Sequence, residues 1–189
     1  KEREAENLKL QQLLNQKYEE AKMQAITDAL TGLYNHRYFH DRLEAELARA
    51  RRQKSYFMLA FLDLDDFKNF NDSYGHILGD QALQSLAGLI KKVLRASDVA
   101  CRYGGEEFAI IFPDTDLAEA KTVAGRLLKE VATFPLKVSK NKTVNLTVSI
   151  GLAAFPGATT KTELINQADA AMYSAKKKGK NRLELPLQG

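Results

Sequence analysis

The chain has 189 residues, 44% hydrophobic and 28% charged, which suits one folded domain with an appendage and leaves ample apolar material for a core. Its 28 basic residues exceed 24 acidic ones by only four, a mild excess that a basic nucleotide pocket accounts for without a nucleic-acid partner. Cys101 is the single cysteine, so an internal disulfide is excluded, and neither a signal peptide nor a membrane span is visible.

Residues 1 to 26 are rich in Glu, Lys, Gln, Leu and Ala and contain no Gly or Pro. Leu10, Leu14, Tyr18, Ala21 and Ala25 recur at spacings of three and four, which predicts an amphipathic helix with a short seam suited to a coiled coil. Thr31-Gly32 breaks the pattern. Tyr38 to Gln53 then reads as a helix, with Phe39, Leu43 and Leu47 on one face. Tyr56 to Leu62 is a near-continuous apolar run of strand length, and it ends in Asp63-Leu64-Asp65-Asp66. Strand alternation puts Asp63 and Asp65 on one face at the exit, where buried carboxylates need a cation or donors to offset lost hydration.

A polar stretch, Phe67 to Asp80, leads into a helix over 80–95 with Leu83, Leu86, Ala87, Ile90 and Leu94 on one side. Asp80 taken alone reads as its N-cap. Val99 to Tyr103 and Phe108 to Phe112 form the arms of a hairpin whose turn is Gly104-Gly105, with Glu106 and Glu107 directly behind it and Pro113 ending the second arm. Adjacent glycines let a ligand approach the backbone, and paired carboxylates suit a hard cation such as magnesium. Leu117 to Ala132 reads as a helix, Thr143 to Phe155 as one strand, Thr162 to Lys178 as a helix and Leu183 to Leu185 as a closing strand. The order predicts an α+β fold with helices covering a central, mainly antiparallel sheet.

Several blocks together resemble the GGDEF family of diguanylate cyclases, in the variant with Glu at the third motif position. They are Asp28-Ala29-Leu30-Thr31-Gly32-Leu33-Tyr34-Asn35, Asp63-Leu64-Asp65-Asp66, Phe67 to Asp72, Tyr74 to Asp80, Gly104-Gly105-Glu106-Glu107-Phe108, and Ala171 to Asn181. They span roughly residues 27 to 185 in the family's order. The resemblance implies a palm-like ferredoxin variant over 27–189, preceded by a signalling helix over 1–26.

It further implies condensation of two GTP into cyclic di-GMP and two pyrophosphates, with two Mg2+ ions, or Mn2+, at each half-site of a homodimer. Asp63, the carbonyl of Leu64 and Glu106 would hold metal, with Glu107 assisting, and Glu106 would receive the proton of the attacking 3′-hydroxyl. Lys68 would face the phosphates, as Lys176 and Lys180 would, although the family usually has Arg at the second of these. Lysine there keeps the charge and loses the bidentate fork.

Asn71 and Asp80 match the guanine-reading pair, and His76 a substrate contact. Arg95-Ala96-Ser97-Asp98 matches the RxxD motif through which the product inhibits, with Arg126 as a second arginine. A surface ion pair between Arg95 and Asp98 is the plain alternative for that motif. An upstream sensor is expected, with this segment cytoplasmic and itself making no membrane contact, even if the parent is membrane-anchored. The competing reading is a catalytically silent receptor for GTP or cyclic di-GMP, which would not need the acidic set at Asp63, Glu106 and Glu107.

Overall fold

Phe57–Leu64 (β1) is buried at every position because it lies at the centre of the sheet with helices on both faces. The structure, a computed structural model, describes residues 2 to 186. The other strands of the sheet are Val99–Gly104 (β2), Glu107–Pro113 (β3), Val148–Phe155 (β6) and Leu183–Glu184 (β7), in the spatial order β2-β3-β1-β6-β7. All neighbours are antiparallel except β6 with β7. Leu136–Ser139 (β4) and Lys142–Val144 (β5) form a separate hairpin.

The alternation of β1 divides the core. Met58, Ala60, Leu62 and Leu64 face His76–Val93 (α4) and Leu117–Thr133 (α5), while Phe57, Leu59 and Phe61 face His36–Gln53 (α2) and Lys161–Lys177 (α6). Caps set these helix starts: Asn35 accepts from Tyr38 N-H at α2, Asp116 from Glu119 N-H at α5, and Thr160 with Glu163 closes a reciprocal capping box at α6.

The remaining helices are Glu2–Ile26 (α1) and Phe67–Tyr74 (α3). Residues 9 to 25 of α1 are exposed throughout, Leu10, Leu14 and Tyr18 at 64%, 67% and 65%. That helix therefore draws little stability from the domain. Among the described helices none is long and apolar enough to cross a membrane.

Three expectations are corrected. Phe67 to Tyr74 is helical, its short amphipathic face consisting of only Phe67 and Phe70. α4 begins at His76 with Gly75 as N-cap, so Asp80 lies inside the helix and caps nothing. Thr143 to Phe155 is two strands, since β5 pairs with β4 and the chain breaks at Asn145 to Thr147 before joining β1 as β6.

Candidate active site at the exit of the central strand

The last residues of β1 set the site. Asp63 pairs in register with Glu107 of β3 on one side and Ser149 of β6 on the other, and it is only 5% exposed. One of its oxygens, Oδ2, meets Lys176 Nζ at 2.7 Å, and the other, Oδ1, is buried without a hydrogen-bond partner. Burial pushes the Asp63 carboxyl up to about 6, against the pull of Lys176 and with the help of Glu106 and Glu107. Asp65 is also buried but fully engaged: it accepts from Ser149 Oγ at 2.6 Å, Thr147 Oγ1 at 2.7 Å and Asn181 N-H at 3.1 Å. It fastens the strand exit to β6 and to the segment after α6.

The glycine turn brings the two glutamates to this exit. Gly105 has φ +50, a conformation glycine adopts without strain, and a bulge between Arg102 and Gly104 twists the turn. Leu64 N-H donates to the Glu106 carbonyl at 3.3 Å, locking the tip beside β1. Glu106 and Glu107 are half-buried, and the negative charge of each helps to raise the Asp63 carboxyl. Glu107 itself is raised by burial, by Asp169 and by Glu106, with Lys176 opposing.

Arg102 braces the tip. Its guanidinium donates to the Gly105 carbonyl at 2.8 and 3.0 Å and to Asp28 at 3.2 Å, while Asp28 also accepts from Thr31 N-H and Oγ1. Burial works to raise Asp28, but the Thr31 hydrogen bonds and the Arg102 charge outweigh it and lower its pKa. The opening motif at Asp28 to Thr31 is thus mechanically joined to the glycine turn.

Asp66 follows with φ +56 and starts α3 without a side-chain cap, leaving the first amides of that helix open to an anion. Lys68 sits exposed in this first turn and, among the described residues, in no ion pair. Farther along α3, Asn71 Oδ1 is buried and unpartnered. It lies against Gly79 of α4, where a Cβ would come within 1.9 Å of it, so only glycine permits this approach. Asp80, exposed, is the next residue, and His76 is exposed at the helix start. From the far side Lys180 Nζ contacts both Asp66 oxygens at 2.7 Å. Lys176 and Lys180 are thereby brought to the strand exit, each on a carboxylate.

The donors fit a hard divalent cation: they are oxygens, and Asp63 offers a buried acceptor that nothing in the protein satisfies. The fit is partial, because among the described residues no three acidic, His or Cys side chains stand close enough to close a metal site. Lys176 supplies the compensating charge at Asp63 instead.

Away from this site, Asp98 accepts from the Arg95 backbone N-H at 2.8 Å, and burial raises its pKa. The Arg95 guanidinium reaches Glu119 at 3.5 Å and is 59% exposed, so the simple Arg95–Asp98 surface ion pair does not form. Arg126 donates to the Val93 carbonyl. One groove beside Arg95 is lined by Glu119 and Arg126, another by Asp98, Tyr34 and Met23 of α1.

Sequence reasoning missed two positioning residues, Gly79 and Arg102, and it singled out Asp65 as a strand-exit carboxylate without finding its partners. Gly79 had a signal, since glycine inside a helix costs about 1 kcal/mol and asks for a packing reason. The partners of Asp65 lie far along the chain, and Arg102, although it reaches Gly105 three residues on, gave no signal of its second partner, Asp28, 74 residues back.

Residues 25–182 match the family described as diguanylate cyclase, GGDEF domain. The chain is 40% identical over 167 residues to diguanylate cyclase DgcP of Pseudomonas aeruginosa, covering 88% of this chain and 25% of that protein. It is 40% identical over 159 residues to the response regulator PleD of Caulobacter vibrioides, covering 83% of this chain and 35% of that one. The chain therefore spans only a quarter to about a third of the length of these relatives. Among solved structures, the coiled coil and GGDEF domain of DgcB from Caulobacter crescentus, in complex with c-di-GMP, superposes with TM-score 0.86 at 35% identity over 96% of both chains. With that match covering sheet, helices and glycine turn alike, the chain belongs to the GGDEF family.

Proposed function

We propose that this chain is a diguanylate cyclase module that joins two GTP molecules into cyclic di-GMP, releasing two pyrophosphates, and that its product restrains it. The reading rests above all on the orphaned Asp63 oxygen beside the Glu106–Glu107 tip. A buried acceptor with no partner is costly and calls for a ligand. Mg2+, or Mn2+ in its place, is the class of ion that such oxygen donors take, held by Asp63, the Leu64 carbonyl and Glu106 with Glu107 in support. When bound, such an ion neutralises charge on the triphosphate and activates the attacking oxygen.

The protein groups divide the remaining work. The open amides at the start of α3 and the Lys68 ammonium receive phosphate oxygens and offset charge on the departing pyrophosphate. Lys176 and Lys180 exchange their carboxylate partners for phosphate. Asn71 Oδ1 accepts from the guanine edge and Asp80 accepts from its ring and exocyclic N-H groups, an arrangement that opposes adenine. His76 borders the same pocket. Glu106 takes the 3′-hydroxyl proton, since it stands half-buried directly behind the exposed Gly104-Gly105 turn, where a second nucleotide arrives.

One strand exit serves one nucleotide, so two protomers face each other across a two-fold axis. The N-terminal helix, taken over residues 1 to 26 with Leu10, Leu14 and Tyr18 exposed along its seam, pairs as a coiled coil that raises the local concentration of the second half-site and passes on the signal of an upstream sensor. Residues 27 to 189 are the cytoplasmic catalytic unit. Arg95, Asp98 and Arg126 bind cyclic di-GMP as an inhibitor, the guanidinium of Arg95 being free enough to meet phosphate or guanine.

The test is product analysis by mass spectrometry after incubation with Mg2+ and equimolar GTP and ATP, over a range of protein concentrations. Cyclic di-GMP that rises more steeply than protein concentration is expected, with Glu106→Gln making none. Folded protein that binds GTP or cyclic di-GMP but forms no cyclic product would establish the silent-receptor reading instead.

A further inference from the structure

His36 and His40 stand one turn apart at the start of α2, outside the nucleotide site. Their Nε2 atoms approach to 3.2 Å, a distance at which one ring donates a hydrogen bond and the other accepts it. The rings are 4.5 Å apart and steeply inclined, so this is an edge contact and not a stack. Two imidazole nitrogens bound tetrahedrally to one ion at about 2.0 to 2.1 Å are separated by about 3.3 Å. The observed spacing therefore matches a shared ion as well as a hydrogen bond.

We propose that His36 and His40 chelate a borderline divalent transition metal such as zinc, nickel or copper, with water completing the coordination. Imidazole favours these ions and discriminates against magnesium, so the site is chemically separate from the oxygen donors at Asp63. His36 is exposed, which gives an ion access, and His40 is partly buried against Phe39, which fixes its ring. Asp41 and Lys161 are the charged side chains beside His40, and neutral imidazole is the form that binds metal. Lys161 itself is engaged by Glu44 at 2.9 Å.

The position connects to the catalytic turn. The Tyr103 ring lies 4.7 Å from His36 and 5.9 Å from His40, and Tyr103 directly precedes Gly104-Gly105. An ion at the pair fixes both imidazoles against this ring and so stiffens the root of the hairpin.

Isothermal titration with Ni2+ or Zn2+, in excess Mg2+ to occupy oxygen donors, should show one ion per chain. His36→Gln and His40→Gln should each weaken it at least tenfold, while Asp63→Asn leaves it unchanged. With Cu2+, electron paramagnetic resonance should report nitrogen ligands that each His→Gln variant reduces. Circular dichroism checks that the variants are folded, and exposed His36 is the safer of the two. Unaltered affinity in both histidine variants, loss of binding in Asp63→Asn, or no binding at all would overturn the site.

Discussion

Asp63 and Asp65 leave the same buried strand on the same face, 5% and 4% exposed, yet their surroundings are opposite. Asp65 accepts from two hydroxyls and a backbone amide, so its charge is met entirely by the protein. Asp63 meets a single lysine, keeps one oxygen without a partner, and has its pKa pushed up to about 6 by burial. A carboxylate that holds a fold together is satisfied before any ligand arrives; one that serves a reaction is left incomplete, at a cost to stability.

The largest effect should come from Asp63. Asp63→Asn keeps the shape but lowers ligand-binding charge where the reaction develops charge, and cyclisation should fall by about a thousandfold, roughly 4 kcal/mol. Initial rates at saturating GTP and Mg2+, with circular dichroism to confirm folding, measure this. A variant within tenfold of the wild type would erase the distinction between the two aspartates.

Asp65→Ala should act on the fold. It strands the Ser149 and Thr147 hydroxyls and the Asn181 amide, and buried groups left unpaired amount here to about 3 kcal/mol. Urea unfolding would show the loss as a lower midpoint with an unchanged slope. Equal stability would mean that the region relaxes or takes in water.

The third effect depends on pH. Because the folded pKa of Asp63, about 6, lies above its ordinary value, the folded protein binds the proton more tightly than the unfolded chain. This contribution to stability is fully present below about pH 4 and is lost as pH rises through about 6. Without added metal, Asp63→Asn should therefore exceed the wild type by about 3 kcal/mol above pH 7, with the advantage vanishing near pH 4. Parallel curves at all pH values would contradict a strained Asp63.

How far these contrasts were legible in the sequence depends on where the partners lie. The apolar run before Asp63, the glycine turn and the helices with regular apolar spacing carry local signals, and a mainly antiparallel sheet covered by helices follows from them, though not its strand order. Asp63 and Asp65 look identical from sequence because what separates them, Lys176 on one and Thr147, Ser149 and Asn181 on the other, lies more than 80 residues away. α3 escaped notice because eight mostly polar residues give too short a period to register. The start of α4 was misplaced because Gly75, with φ +85, caps it by backbone shape and not by a side chain.

Asp98 extends the comparison to a third, intermediate carboxylate. Its pKa is raised by burial, as at Asp63, yet it accepts a backbone N-H from Arg95, as Asp65 accepts one from Asn181. The turn is thus built by Asp98 while the Arg95 side chain remains 59% exposed and only loosely held by Glu119. Arg95→Ala leaves that backbone bond intact and removes only the guanidinium. The cyclic di-GMP concentration needed for half-inhibition should rise about tenfold, equivalent to about 1.4 kcal/mol, with uninhibited rate and melting temperature nearly unchanged. Initial rates over a product series decide it. An unshifted inhibition curve would place Arg95 with the purely structural groups and remove product binding from this turn.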